Sequence, residues 1–325
     1  MKLRRFGRTD LQVSELAFGG GRSGGILINA NEKTRRAAVR RALDLGVNWF
    51  DTAPQYGEGK SEKALGWLLA EVPEKPFVST KVRIDLMSAE SLVSQVERSV
   101  AESLKRLRLD RVDLLQIHSL IMPEASGRTI SPNHVLCDGG VADAMAKVRD
   151  QRMARFLGLT ALGNSNATIE VIESGRFDAA QVYYNLINPS SAWTGTINGW
   201  SSYNGNGIMK ACIEQDMAIM AIRIFAASYL ATPLRTGRES ILTENTTAEK
   251  EAGSAKAVFG VLGDEFGTWA QTAVRFALSN QMVSTAIVGL SDQAHLDEAA
   301  AGAERGALGS AAMKKLEKLW RAGFA

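Results

Sequence analysis

Short apolar runs alternate along the chain with amphipathic stretches. The runs Leu16–Gly19, Val47–Phe50, Phe77–Thr80, Val112–Ile117, Arg155–Thr160, Ala179–Tyr184, Ala218–Ile224 and Thr285–Val288 read as eight strands. They are apolar throughout rather than at every second residue, as in parallel strands covered on both faces. Between them the apolar positions recur at three and four. In Ser88–Leu107, Leu92, Val96, Val100, Leu104 and Leu107 form one stripe, with Ser88 as the expected N-cap. Thr34–Leu45 carries Ala38, Ala42 and Leu45 on one face, with Gly46 placed to end it. Ser61–Ala70, Asp138–Gln151, Ser165–Ser174, Gly205–Gln215, Thr268–Ser279, Asp292–Ala300 and Ser310–Ala322 are the other predicted helices. Ahead of them all, Lys2–Phe6 and Leu11–Ser14 flank a Gly7–Asp10 turn and predict a hairpin. Strands alternating with helices predict an α/β fold, either a closed (β/α)8 TIM barrel or a doubly wound open sheet. Periodicity does not separate the two.

Composition narrows the function class. The formal net charge of +3 is too mild for the footprint of a nucleic-acid binder. Apolar runs such as Ala257–Gly263 are too short to span a bilayer, and no apolar core follows the basic Met1–Arg5 as in a secretory leader. A cytoplasmic protein is expected. Two cysteines make no disulfide framework, and three histidines leave little for a metal site, so no metal is expected. Nothing reads as a linker, which predicts one domain over residues 1–325.

Gly19-Gly20-Gly21-Arg22-Ser23-Gly24 follows the first strand and satisfies G-x-G-x-x-G, with Asp44 twenty residues beyond. A dinucleotide fingerprint, however, needs a helix to start at its third glycine so that the helix N-terminus meets the pyrophosphate. Here helical periodicity begins only near Asn31. The run reads instead as a loop, Gly20 included, that lets backbone approach a ligand closely at the pocket mouth.

Four polar residues stand at strand ends: Asp51 after Val47–Phe50, Tyr56 five residues on, Lys81 after Phe77–Thr80, and His118 after Val112–Ile117. Alone, such a lysine is more often a structural ion pair and such a histidine a satisfied core group. In a barrel they meet on one face, where catalytic side chains sit. Together they make an acid catalyst: an ammonium beside a phenol favours phenolate, an aspartate orients the ammonium, and a histidine orients a carbonyl.

The strings Gly46-Val47-Asn48-Trp49-Phe50-Asp51-Thr52-Ala53-Pro54-Gln55-Tyr56-Gly57, Ser79-Thr80-Lys81 and Asp113-Leu114-Leu115-Gln116-Ile117-His118 closely resemble the aldo-keto reductase superfamily. The resemblance covers nearly the whole chain. It implies a (β/α)8 barrel, NADP(H) or NAD(H) as cofactor, a carbonyl or sugar substrate, a monomer or weak homo-oligomer, and the tetrad Asp51, Tyr56, Lys81 and His118. It also implies cofactor contacts after strands five to eight: Thr160 and Gln181 at the carboxamide, then Ile222, Arg223 and Phe225, and Gly289, Ser291, His295 and Glu298 towards the adenine end. This chain departs from the pattern at Ala161, where Asn is common, and at Ile222, where an aromatic usually stacks on the ring. No Lys or Arg stands at Gly289, Leu290 or His295 to hold a 2′-phosphate, so NAD use is expected beside NADP. His295 reads equally as an exposed helix residue.

The segments Leu120–Cys137, Asn188–Asn204 and Ala226–Phe259 exceed ordinary barrel loops and are expected to shape a pocket. Trp193, Trp200 and Tyr203 could stack on a sugar there or pack the loop on itself. Similarity of Gly158–Thr160 and Phe225-Ala226-Ala227 to sugar-lactol dehydrogenases of the superfamily points towards aldoses. Two other readings remain: a Schiff-base aldolase with Lys81 as nucleophile, and a nucleotide-sensing accessory subunit.

Overall fold

The computed structural model describes residues 1–22, 24–195, 200–235, 237, 239–241, 243 and 246–324. Eight parallel strands close a barrel in chain order: Leu16–Gly19, Trp49–Asp51, Phe77–Val82, Val112–Ile117, Ala154–Ala161, Ala179–Tyr183, Ala218–Ile222 and Val283–Gly289. We call these strands one to eight. Strand eight closes on strand one with Ala286 opposite Leu16 and Gly289 opposite Gly19. This settles the choice between barrel and open sheet. All eight expected strands exist, two with the expected ends and the others with an end shifted by one or two residues.

The antiparallel hairpin of Leu3–Arg5 and Gln12–Ser14 plugs the end of the barrel opposite the strand C-termini. Its Phe6, Leu11 and Val13 pack with Ala17, Trp49, Leu114 and Met220 in the barrel interior. Phe6 stacks on Trp49 at 4.6 Å between ring centroids. The Arg4 guanidinium donates to the carbonyls of Leu278, Asn280 and Val283, tying the hairpin to strand eight and the helix before it.

Helices cover the outside of the ring. Glu32–Asp44 is capped by Asn31, whose side chain accepts from Thr34 N, and Gly46 follows it with φ 81°. The third crossover helix is Leu92–Leu107 and its cap is Ser91, not Ser88. Ser91 Oγ accepts from Ser94 N, whereas Ser88 Oγ accepts from Glu90 N within the preceding turn. Asp138–Gln151 shortens to Val141–Asp150, because Gly139 at φ 71° turns the chain first. The helix Pro132–Leu136 lies inside the segment Leu120–Cys137 read as a loop, and the helix Ala248–Leu262 begins inside Ala226–Phe259 and runs past its end. No helix among the described residues is long and apolar enough to cross a membrane.

Candidate active site

Strand alternation aims the site. On strand three, Ser79 and Lys81 share the inward face, and on strand four Leu114, Gln116 and His118 do. Lys81, with 1% of its surface exposed, reaches the barrel axis, where burial of an unpaired ammonium would be costly. Its three N–H donors are all used. Lys81 Nζ lies 2.6 Å from Asp51 Oδ2, 2.8 Å from the Thr52 carbonyl and 3.2 Å from the Tyr56 hydroxyl. The other oxygen of Asp51 accepts from Ser79 Oγ at 2.7 Å, Gln181 Nε2 at 2.7 Å and Gln116 Nε2 at 3.3 Å. The buried pair is thus held from both sides.

Tyr56 and His118 form the roof of this pair, their rings edge to face with centroids 5.7 Å apart. Burial pushes the Tyr56 phenol up, and Lys81 and Arg223 only partly offset it. The expectation that Lys81 brings the phenol below its ordinary value is therefore corrected: in this cleft the loss of water outweighs the ammonium. Burial alone would lower Lys81, but Asp51 and then Tyr56 outweigh it and raise it, so the amine stays protonated. A Schiff-base nucleophile needs a free, neutral amine, and Lys81 is neither. Burial, then Lys81 and Arg83, push His118 down to about 3, so its ring is neutral at ordinary pH. Gln55 Oε1 sits 3.0 Å from His118 Nδ1, so which nitrogen of the neutral ring donates follows from the tautomer this contact holds.

A cleft of about 320 Å³ opens above Tyr56. Its lining runs from Asp51, Tyr56 and His118 past Thr160 and Gln181, along Ile222, Arg223 and Phe225, to Gly289, Ser291, His295 and Glu298. Thr160 Oγ1 donates to the Ile117 carbonyl at 3.0 Å, and Ser291 Oγ lies 3.1 Å from His295 Nδ1. The Arg223 guanidinium stacks over the Tyr183 ring at 4.7 Å, and Asn185 Nδ2 donates to its carbonyl. Backbone at Arg223, Ala226, Ala227 and Ser228 is left-handed, with φ of 60°, 43°, 50° and 86°. Such non-glycine residues cost roughly 1–3 kcal/mol each and persist where surroundings over-determine them, typically beside a ligand.

The glycine run has a steric reason. A Cβ on Gly24 would fall 2.1 Å from Leu290 N and 2.6 Å from Gly289 C, so this loop crosses the end of strand eight at backbone contact. Ser23 of the same run lies outside the described residues. A short helix, Ile26–Asn29, begins directly after Gly25, earlier than the periodicity indicated. Gly19, Gly21, Arg22 and Gly24 line the cleft but Gly20 does not. Gly20 instead donates to the Asp51 carbonyl, and its own carbonyl accepts from Ser61 Oγ.

Trp193 and Trp200 are also outside the cleft lining, which corrects their placement as substrate contacts. They pack edge to face at 4.8 Å, Trp193 against Trp320 and Trp200 against Phe324 of the C-terminal segment. Trp200 Nε1 donates to the Tyr203 carbonyl. Residues that sequence reasoning passed over are Gln55 and Gln116, which bond to His118 and Asp51. The alternation of inward positions ahead of His118 would have flagged Gln116.

Comparison with known proteins follows the same line. The profile of the aldo/keto reductase family matches residues 15–321. The chain is 27% identical over 307 residues to L-galactose dehydrogenase of Arabidopsis thaliana, covering 92% of this chain and 86% of that one. It is 27% identical over 257 residues to D-threo-aldose 1-dehydrogenase of a Pseudomonas species, covering 70% and 71%. Among solved structures, aldo-keto reductase AKR11C1 from Bacillus halodurans superposes with a TM-score of 0.76 at 20% identity, covering 98% of this chain and 96% of that one.

Proposed function

Because the chain belongs to the aldo/keto reductase family of oxidoreductases, we propose that this cleft interconverts a small carbonyl compound (aldehyde, ketone or aldose) with the alcohol or lactone, using NAD(P)(H). The observation that carries the reading is the buried chain from Asp51 through Lys81 to the Tyr56 hydroxyl, opening on a cleft that His118 also faces. The likeness to two sugar dehydrogenases supports an aldose as substrate.

The residues present fit a nicotinamide dinucleotide. Gln181 spends its N–H on Asp51, which turns its carbonyl to the cleft as an acceptor for a carboxamide N–H. Arg223 offers a guanidinium to phosphate oxygens, Ile222 an aliphatic face to the ring, and Glu298 an acceptor for the adenine amine. Gly289, Ser291 and His295 complete the far end. When bound, the nicotinamide supplies or accepts hydride. The chain handles the proton: Tyr56 O–H donates to the carbonyl oxygen in reduction, and its phenolate accepts the alcohol proton in oxidation. Lys81 stabilises the phenolate by charge and hydrogen bond, Asp51 keeps Lys81 charged, and neutral His118 orients the substrate oxygen.

The test is a titration with NADPH and NADH followed by a panel of aldehydes and sugars at 340 nm. Saturable binding with turnover of at least one substrate class is expected. Binding without turnover across the panel would favour the sensing role, and no binding would remove the proposal.

A further inference from the structure

We propose that Gly21 is a specificity-determining residue of the cleft. Its missing side chain leaves room beside the Tyr56 hydroxyl for a reacting carbon that bears two non-hydrogen substituents besides its reacting oxygen. That class comprises ketones with their secondary alcohols, and ring hemiacetals with their lactones. The inference rests on reading the cleft as a carbonyl site and adds what flanks the reacting carbon.

The glycines between positions 19 and 25 differ in what demands them. A Cβ on Gly19 would stand 2.8 Å from the Val288 carbonyl oxygen, and one on Gly20 would stand 2.6 Å from Ser61 Oγ. On Gly24 it would fall 2.1 Å from Leu290 N. Gly25 has φ 72° and would bring a Cβ within 2.6 Å of Asn29 Nδ2. Packing or backbone conformation requires each of these four. Gly21 is under no such demand. Its φ lies outside the left-handed region, and the nearest atom to a Cβ there is Tyr56 Cζ at 3.5 Å, an ordinary van der Waals contact. Alanine would fit and would spare the entropy that glycine loses on folding. The fold does not explain this glycine; the site does.

The absent Cβ would touch Tyr56 Cζ, Cε2 and, at 3.8 Å, the hydroxyl oxygen. A carbonyl oxygen accepting from that hydroxyl stands about 2.7 Å away. Its carbon and that carbon's first substituents then lie roughly 3.5–5 Å from the phenol oxygen, by ordinary bond lengths. The Cβ position falls in the same shell. Two other groups bordering the phenol are side chains: Lys81 Nζ at 3.2 Å from the hydroxyl, and the His118 ring edge to face with it. Gly21 lines the cleft with Tyr56 and His118 but does so with bare backbone. An aldehyde carbon carries one heavy substituent and a hydrogen and has no use for the extra space. A ketone carbon needs it, as does the anomeric carbon of a sugar ring, flanked by the ring oxygen and the next carbon. The nicotinamide is placed at Gln181 and Ile222, on strands six and seven, which leaves the side beyond strand one to the substrate.

The experiment fills the space. The native chain, Gly21→Ala and Gly21→Val are assayed for reduction of cyclohexanone against hexanal, and for oxidation of D-galactose against 1-hexanol. The native chain is expected to turn over at least one of the two ring probes. Gly21→Val should lower kcat/KM for that probe by about tenfold or more relative to the open-chain probe, the scale of one methylene group in a pocket. Gly21→Ala should move the same ratio the same way by less, with Tm kept or raised. A Tm lower by more than about 5 °C in Gly21→Ala would return this glycine to the fold and overturn the inference. A native chain that reduces hexanal but uses neither ring probe overturns it, as does a ratio unchanged in Gly21→Val. Loss of NADPH affinity with the ratio unchanged gives the position to the nucleotide and overturns it too. Binding decides where turnover yields no ratio. Cyclohexanol and 1-hexanol are titrated into the NADPH-saturated chain and followed by nicotinamide emission; cofactor and alcohol are both reduced, so nothing reacts. If no probe turns over, the proposed function falls, while Gly21→Val weakening cyclohexanol by about fivefold or more beyond 1-hexanol still supports the space at Gly21. Equal weakening, or no binding of cyclohexanol to the native chain, overturns it.

Discussion

Replacing Tyr56 by Phe removes one oxygen atom and tests the proposed chemistry at its centre. The structure sets how local the change is. Lys81 Nζ loses a partner at 3.2 Å but keeps Asp51 Oδ2 at 2.6 Å and the Thr52 carbonyl at 2.8 Å. The buried ammonium therefore remains paired, and the cost to stability is that of one hydrogen bond, about 0.5–1.5 kcal/mol. The cleft lining that is expected to hold the nucleotide is untouched, so NADPH and NADH affinities should stay within about twofold. Turnover should fall by roughly 10²–10⁴, the contribution of a positioned acid or base, which is about 2.7–5.5 kcal/mol of barrier. The assay is stopped-flow hydride transfer from a preformed enzyme–cofactor complex, with deuterated cofactor to establish that chemistry limits the rate. Turnover within threefold of native under a full isotope effect would refute the assignment of Tyr56. The pH dependence carries a second check. Burial holds the phenol above its ordinary value, so it is protonated throughout the neutral range and reduction should be flat from about pH 6 to 9. Oxidation needs the phenolate, whose fraction grows about tenfold per pH unit below the pKa, so its rate should climb with pH. Lys81→Met removes a partner that favours the phenolate, moving that climb to still higher pH and hurting oxidation most near neutrality.

Arg106→Met should strip Glu62, which is fully buried, of the partner on Oε2 while Thr80 keeps Oε1, costing about 3–5 kcal/mol in urea unfolding; a loss below 1 kcal/mol would refute this. Gly24→Ala should force the glycine loop off Gly289–Leu290, lowering Tm and weakening nucleotide binding together, because the added carbon lies 2.1 Å from backbone nitrogen; unchanged Tm and Kd would contradict the contact. With no Lys or Arg at Gly289, Leu290 or His295, NADPH should be preferred over NADH by at most about 100-fold in Kd. A preference above about 1000-fold would mean that another cation, such as Arg235, reaches the 2′-phosphate.

The barrel was legible because its strands are buried on both faces, so each stands out as a continuous apolar run, and because polar residues interrupt those runs only at their ends. That same contrast exposed Asp51, Lys81 and His118. What stayed hidden depends on distant partners. Ala248–Leu262 buries Ala255, Val258, Phe259 and Leu262 but interleaves them with Ala257, Gly260 and Val261, which blurs the stripe. Trp193 and Trp200 announce burial by type, yet their partners Trp320 and Phe324 come more than a hundred residues later. The direction of the Tyr56 shift was equally out of reach, since a neighbouring lysine can be read from spacing but the exclusion of water cannot.

Closure of the ring has a consequence for biosynthesis. Ala17 pairs with Ile287 and Phe18 with Val288, so the first strand waits for a partner about 270 residues downstream. At about 5–20 residues per second of translation, that wait is roughly 15–50 s. Throughout it, one side of the nascent sheet is an unpaired edge able to recruit another chain. The N-terminal hairpin is made before this interval and its Phe6 can cover Trp49 as soon as strand two emerges. The Arg4 anchors at Leu278, Asn280 and Val283 arrive just as strand eight does. The plug thus serves as a holding contact for the ribosome-bound chain and then as a latch on the finished cylinder.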